Sequence, residues 1–211
     1  MLERSPLQRV SPQPFVMRHS VDDAALLAGI RAGEEASFEL LFRSYYGRLH
    51  LYAEGYVRSP EVAEDLTVEV FARIWERRAD WEVHGSIRAY LYAAVRNEAL
   101  MHVRRRRMLA RMHSDPAFDL RPPGMGAPGP APDASLEAEE LTLAVEAAIA
   151  RLPERSREAF VLHRKHGLSY AEVAAAMGIS PRTVEVHVSR ALKALRVNLK
   201  GFFTLLLQVV L

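Results

Sequence analysis

Apolar residues recur along this chain three and four positions apart, the spacing of helix faces, and no stretch reads as a strand. A short helix is predicted from Asp22 and Asp23, DDAALLAGIRAG, stopping near Gly33. A long one follows from about Glu34 to Val57, with Phe38, Leu41, Phe42, Tyr45, Leu49, Tyr52 and Tyr56 on one side. Ser59-Pro60 ends it and caps the next, in which Leu66, Val70, Phe71 and Ile74 form the inward stripe. Glu64, Asp65, Glu69, Arg73 and Glu76 fall on the outer face of that helix. Residues 79–85 read as a loop carrying one aromatic, Trp81. In the helix after it Ile87, Leu91, Ala94, Val95 and Val103 are placed to pack. Arg88, Tyr92, Arg96 and Asn97 are left available, and the segment closes on Arg104 to Arg107.

Periodicity then stops. Residues 114–134, including RPPGMGAPGPAPD, are rich in Pro and Gly and read as a linker between two domains held at variable spacing. Ser135 caps a new helix, and Pro153 ends it and opens PERSREAFVLHRKHG. In GLSYAEVAAAMGISPRTVEVHVSRALKALR, Ser169 and Glu172 are spaced as a capping box and Gly178 suits a left-handed helix end. Ser180 and Pro181 start a second helix that buries Val184, Val188, Ala191 and Leu195. Arg182, Val186, Ser189, Arg190 and Lys193 point the other way, with Thr183, Glu185 and His187 on the flanks. Short helix, tight turn and polar-faced second helix are the parts of a helix-turn-helix. The fold class expected is all-α: residues 22–113 and 135–200 form two small helical domains. Residues 1–21 form a flexible tail, and 201–211 an apolar tail that continues the last helix and packs on its own domain or a partner.

Charge sharpens this picture. The 211 residues carry a net charge of only +2, but it is unevenly placed. Residues 83–113 hold seven arginines against one acid, Glu98, and residues 163–200 hold seven basic residues against two acids. Residues 22–82 hold thirteen acids against seven arginines. Two separated basic segments suit a polyanion, and the acidic one suits a protein partner. Arginines track phosphates, and an aromatic in the preceding loop can stack on an unpaired base. With no cysteine, disulfides, thiolate metal sites and cysteine nucleophiles are excluded. The N-terminus lacks the apolar core of a signal peptide, and no apolar run approaches the roughly 20 residues of a membrane span. A cytoplasmic protein is expected.

Several motifs together resemble a known family. AEDLTVEVFARIWE (63–76), IRAYLYAAVRNEALMHVRRRR (87–107) and the segment LPERSREAF…SRALKALR (152–196) are similar to extracytoplasmic-function sigma factors of the sigma-70 family. TVEVHVSRALKALR and the apolar tail resemble the Bacteroidetes-type subgroup. The resemblance implies a region 2 bundle and a region 4 helix-turn-helix serving core RNA polymerase, through its clamp coiled coil and flap. Double-stranded and melted promoter DNA would be the second partner, and an anti-sigma factor, of the membrane-bound kind frequent in that subgroup, the third. Polymerase binding falls on Asp65, Glu69, Arg73 and Trp75. Downstream promoter contacts fall on Trp81, Arg88, Tyr92, Arg96, Asn97, Arg104 and Arg105, with the Trp81 loop receiving an unstacked base. Upstream contacts fall on Ser180, Arg182, Thr183, Glu185, His187, Arg190 and Lys193, where Glu185 suits a cytosine amino group. Two positions depart from the family pattern: Val68 stands where Gln is common, and Met101 where Asp is.

Two other classes compete. A stand-alone helix-turn-helix regulator would bind operators without polymerase, but the first domain has its own basic helix and no phosphoacceptor domain is present. An enzyme is disfavoured. His163 and His166 lack the i, i+4 spacing and intervening Glu of a metalloprotease and read as surface histidines, and no Gly-rich phosphate loop follows a strand. No catalytic residue, metal, cofactor or small-molecule substrate is assigned.

Overall fold

The computed structural model describes residues 23–113 and 136–210, with side chains described over 23–112 and 142–199. All the regular structure among the described residues is helical: α1 (Asp23–Arg31), α2 (Glu35–Val57), α3 (Pro60–Glu76), a 3-10 turn (Arg78–Asp80) and α4 (Ile87–His113). These are followed by α5 (Leu136–Ala150), α6 (Glu154–Arg164), α7 (Tyr170–Met177) and α8 (Pro181–Val210). The tails' packing, the linker and the Ser135 cap lie outside the described residues, although the backbone of α8 does run on through 201–210.

α2, α3 and α4 pack around one apolar core, with α1 laid across α2. Leu41, Leu49, Tyr52, Ala53 and Tyr56 of α2 face Val70, Phe71 and Ile74 of α3 and Leu91, Tyr92 and Val95 of α4. Each large side chain taken fully from water contributes about 1.5–3 kcal/mol before entropy is counted. On α3 the buried stripe is shifted from the expected one. Leu66 is half-buried, while Thr67 is fully buried and satisfies its hydroxyl on the Ala63 carbonyl at 2.7 Å. Local chemistry sets the boundaries. α2 stops where Arg58 turns left-handed (φ 55°), and α3 starts where Ser59 Oγ accepts from Val62 N, with Pro60 at its first position. The Ile87 amide donates to Asp23 Oδ2 at 3.0 Å, which ties the start of α4 to the start of α1.

In the second half, α5, α6 and α8 bury Ala148, Ile149, Leu152, Val161, Ala191 and Leu195 together. α7 carries the expected capping box: Ser169 Oγ accepts from Glu172 N, and Glu172 accepts from Ser169 N. Gly178 ends it at φ 66°. α8 buries Val184, Val188, Ala191 and Leu195, the predicted stripe. The two halves are docked. Leu162, Leu168, Val173, Ala174, Ala176 and Met177 belong to the same contiguous cluster as the core of α1–α4. That contact is made chiefly by α4 against α7.

Candidate nucleic-acid and polymerase interfaces

The outer face of α8 is built for contact because its opposite face is committed to the core. Arg182, Thr183, Glu185, Val186, Arg190 and Lys193 are all exposed. Arg182 Nη1 donates to Glu185 Oε2 at 2.7 Å, one turn apart, while the arginine side chain stays 81% accessible. Ser180 caps the helix by accepting from Thr183 N at 3.1 Å, and the two hydroxyls pair at 2.8 Å. His187 is half-buried instead, its Nδ1 3.3 Å from Ser156 Oγ, and burial with Arg190 and Arg155 nearby lowers its pKa. Guanidinium, hydroxyl and carboxylate groups in the first turns of an exposed helix can reach both phosphates and base edges. Val186 lies among them as an exposed apolar group, a shape suited to a thymine methyl.

The face of α4 differs from what the pattern predicts. Tyr92 is buried, and Arg88 and Arg96 are half-buried and turned onto α6, α7 and the segment between them. Arg88 donates from Nε to Glu172 Oε1 at 3.0 Å and from Nη2 to Oε2 at 2.5 Å, and Ser86 Oγ donates to Oε1 at 2.9 Å. Burial alone would raise the Glu172 pKa. The bonds from Arg88, from the Ser169 backbone and hydroxyl and from Ser86 outweigh it and bring the value down to about 2. Arg96 pairs with Glu158, which also accepts from the Tyr56 hydroxyl at 2.6 Å. Those two charged side chains are only 11% and 7% accessible.

Tyr92, expected to be available, is 1% exposed, and its hydroxyl meets His166 Nδ1 at 2.9 Å. His166, read from the sequence as a surface residue, is half-buried and packs its ring against those of both Tyr52 and Tyr92, at 5.3 and 5.1 Å. Burial, with Lys165 and Arg48 adding to it, pushes its pKa down to about 4, so it is neutral at pH 7. Its companion His163 holds the Leu168 carbonyl at 2.8 Å. Burial pushes the phenols of Tyr52, Tyr56 and Tyr92 up.

Trp81 is likewise corrected. It is 4% exposed, stacked edge-on against Tyr90 at 5.6 Å, and its carbonyl takes the Arg31 Nε at 2.9 Å. In this arrangement its ring is part of the core beside α1. Asn97, Arg104 and Arg105 do remain exposed along α4, as does Met101.

On α3, Asp65, Val68 and Glu69 face solvent together. Arg73 is tethered, donating to Glu98 Oε1 at 2.6 Å and to Glu69 Oε1 at 3.3 Å. Trp75 packs on Phe38 at 4.9 Å under the Arg78 guanidinium, at the rim of a shallow groove lined by Glu35, Phe38, Glu39 and Phe42. Among the described residues no cluster of three or more His, Asp or Glu is placed to hold a metal.

Comparison with known proteins resolves what these surfaces belong to. Residues 41–108 match the family model for sigma-70 region 2, and residues 142–195 match the model for sigma-70, region 4. The chain is 31% identical over 137 residues to the ECF RNA polymerase sigma factor SigF of Caulobacter vibrioides, covering 65% of this chain and 70% of that one. The chain belongs to the ECF group of the sigma-70 family. It is also 29% identical over 178 residues to the ECF RNA polymerase sigma factor SigM of Mycobacterium tuberculosis, covering 84% of each. Among solved structures it is similar to the sigma factor RpoE of Bartonella quintana, crystallised with the anti-sigma factor NepR. The TM-score is 0.60 at 27% identity, covering 77% of this chain and 96% of that one.

Within this sigma factor, α2–α4 carry region 2, and α5–α8 carry region 4. The residues that sequence reasoning missed are the ones that join the regions: Tyr56, Ser86, Glu158 and His166. Glu158 offered one usable signal. It lies on a helix face shared with Leu162, an apolar register in which an unpaired carboxylate is costly.

Proposed function

We propose that this sigma factor docks on core RNA polymerase through the exposed Asp65, Val68 and Glu69 of α3 and reads promoters with α4 and α8. In this reading Arg182, Glu185 and Arg190 meet base edges in the major groove of the upstream element. Ser180, Thr183, His187 and Lys193 hold the adjoining backbone. Arg88, Arg96, Asn97, Arg104 and Arg105 track the strand at the downstream element, and Trp75 and Arg73 brace the polymerase-binding helix. Tyr92 and Trp81 support the α4 face from inside. The observation that carries the reading is the match to regions 2 and 4 on the same chain, each unit presenting a basic helix.

Residues 22–113 and 135–200 are the units proposed to separate on polymerase, with 114–134 setting their reach. A cytoplasmic location is proposed, and no described helix is long and apolar enough to cross a membrane. An anti-sigma partner is suggested by the likeness to the Bartonella protein solved with one. A Bacteroidetes-type affiliation rests on TVEVHVSRALKALR and the apolar tail alone, and the relatives named above are actinobacterial and proteobacterial. No catalytic residue is proposed.

Run-off transcription tests the function directly, with purified core polymerase and the region upstream of this protein's own operon as template. A discrete transcript that depends on the protein is the expected result. Salt-sensitive DNA binding with no transcript and no polymerase association would point to the stand-alone regulator instead.

A further inference from the structure

Between the two regions lies a polar cleft of about 490 Å³, a volume that suits one small ligand. One wall is α4, where Asn97, Met101 and Arg104 share a face at i, i+4 and i+7 and Leu100 borders them. The other wall is the first turn of α6, with Glu154 and Arg155. The buried Arg96–Glu158 pair joins the two. We propose that this cleft, in the closed arrangement of the two regions, binds a nucleoside phosphate. Arg104, Arg155 and Asn97 hold the phosphate, and the base lies on Leu100 and Met101. The occupant is a small effector, distinct from the DNA strand assigned above to Asn97 and Arg104, and its site is complete only while region 4 is docked.

The donors around the cleft are unspent. Among the described residues Asn97 and Arg104 make no hydrogen bond or ion pair, and both are exposed. Arg155 is 57% accessible and reaches Glu158 only at 3.9 Å, the limit of an ion pair. Glu158 is already held by Arg96 and by the Tyr56 hydroxyl at 2.6 Å, which weakens its claim on Arg155. Arg96 and Glu158 neutralise each other, so Arg104 and Arg155 outnumber Glu154 and leave the cleft positive. Guanidiniums from two walls are forks matched to phosphate oxygens, each able to donate two parallel N–H bonds. Glu154 selects within the class of anions. It repels a bare phosphate, whereas a nucleoside phosphate brings ribose hydroxyls that donate to a carboxylate. Half-buried Leu100 and exposed Met101 add apolar surface, and a thioether packs well on an aromatic ring. A ligand held by both walls favours the docked arrangement by its own binding free energy, because the separated regions each keep only half of the site.

The experiment is calorimetric titration of the full chain with adenosine and guanosine diphosphates, without divalent cations, and small-angle scattering is the second readout. One saturable site in the micromolar range is expected for at least one of them, with the free nucleoside and inorganic phosphate each about tenfold weaker or more. Arg104→Gln and Arg155→Gln change exposed side chains on opposite walls. Each should weaken binding about tenfold or more with helix content unchanged, because a charged donor to phosphate is lost. Arg111→Gln makes the same charge change farther along α4, outside the cleft, and should keep parental affinity. Scattering should show the saturated chain at least as compact as the free one. The proposal is overturned by the absence of a saturable site, by an equal loss in Arg111→Gln, by inorganic phosphate binding as tightly as the diphosphates, or by expansion on saturation. Binding to a single-stranded DNA 20-mer alone also overturns it and leaves these arginines to promoter DNA. Failure of the sigma-factor reading shows separately, as no run-off transcript from the parent with core polymerase, and leaves the titration unaffected.

Discussion

Glu172 closes the helix cap of α7 and the contact between the two regions with the same carboxylate, and Arg88 is its partner across that contact. Oε2 accepts from the Ser169 amide at 2.8 Å and from the Ser169 hydroxyl at 2.9 Å, while the Arg88 guanidinium spans both oxygens. A capping box normally ends on solvent, where its second residue is worth only local helix stability. Here the cap fixes the glutamate rotamer before docking, so Arg88 meets a preorganised acceptor. The helix-turn-helix thus presents α8 to DNA with one end and grips region 2 with the other.

That contact makes closure depend on pH. His166 is neutral against Tyr92, with a pKa near 4 in the closed form against an ordinary value near 6.5. The open form therefore takes up the proton first as pH falls. Closure is fully favoured above about pH 6.5 and weakens down to about pH 4, by up to about tenfold per pH unit within that window. Glu172 adds a second loss lower down, in the acidic range, because the Arg88 and Ser86 bonds across the contact favour its carboxylate, whereas the Ser169 bonds belong to α7 itself. Scattering between pH 7.5 and 4.5 should show expansion in the upper window. In His166→Gln that transition should vanish from this range, because the Glu172 step lies at lower pH. A parental chain that stays compact at pH 4.5 would sink the idea.

Trp81 should behave as a core residue. Its ring is buried against Tyr90, and its Nε1 is a buried donor with no partner among the described residues. Trp81→Ala is therefore expected to cost about 3–5 kcal/mol of stability. Trp81→Phe should cost much less, since it keeps aromatic volume and removes an unsatisfied N–H. Urea melts followed by circular dichroism measure both. Run-off transcription from the Phe variant should stay near the parental level, and a large loss there with stability intact would restore the indole as a base-stacking group.

The helices, their caps and the helix-turn-helix were legible in the chain because each is written locally. The Ser169–Glu172 spacing, Gly178 and the Val184–Leu195 stripe decide their geometry within a few residues. The docking of the regions was not legible, because it pairs residues far apart in sequence: Arg88 with Glu172, Arg96 with Glu158, Tyr92 with His166. A basic residue on a helix reads the same whether it faces a phosphate or a carboxylate. The burial of Tyr92 and Trp81 was not legible for a related reason: an aromatic next to polar neighbours is equally at home in a core or on a nucleobase.

Gly178 offers a test of the turn by itself. Its φ of 66° is left-handed, yet a Cβ built there meets nothing within 4 Å. Gly178→Ala should therefore destabilise the chain by backbone strain alone, about 1–2 kcal/mol. In urea the midpoint should fall with the slope unchanged. A slope change would mean that the turn also governs how the regions dock.

The upstream reader yields the most direct numbers. Arg182 and Arg190 are exposed on the face of α8 opposite Val184 and Val188, and Arg182 is steadied by Glu185. If they pair with base edges, Arg182→Ala and Arg190→Ala should each cost about 1–3 kcal/mol on the preferred promoter and relax preference at one position. Lys193→Ala should weaken binding evenly across sequences and reduce the salt slope by about one. Glu185→Gln separates the two roles of that carboxylate. If it only positions Arg182, affinity falls modestly with the sequence preference intact. If it accepts from a cytosine amino group, discrimination at that base pair is lost. Titrations of the purified protein with promoter duplexes at two or more salt concentrations measure all of these. An Arg182→Ala curve that overlays the parent at each salt would remove α8 as the reader of the upstream element.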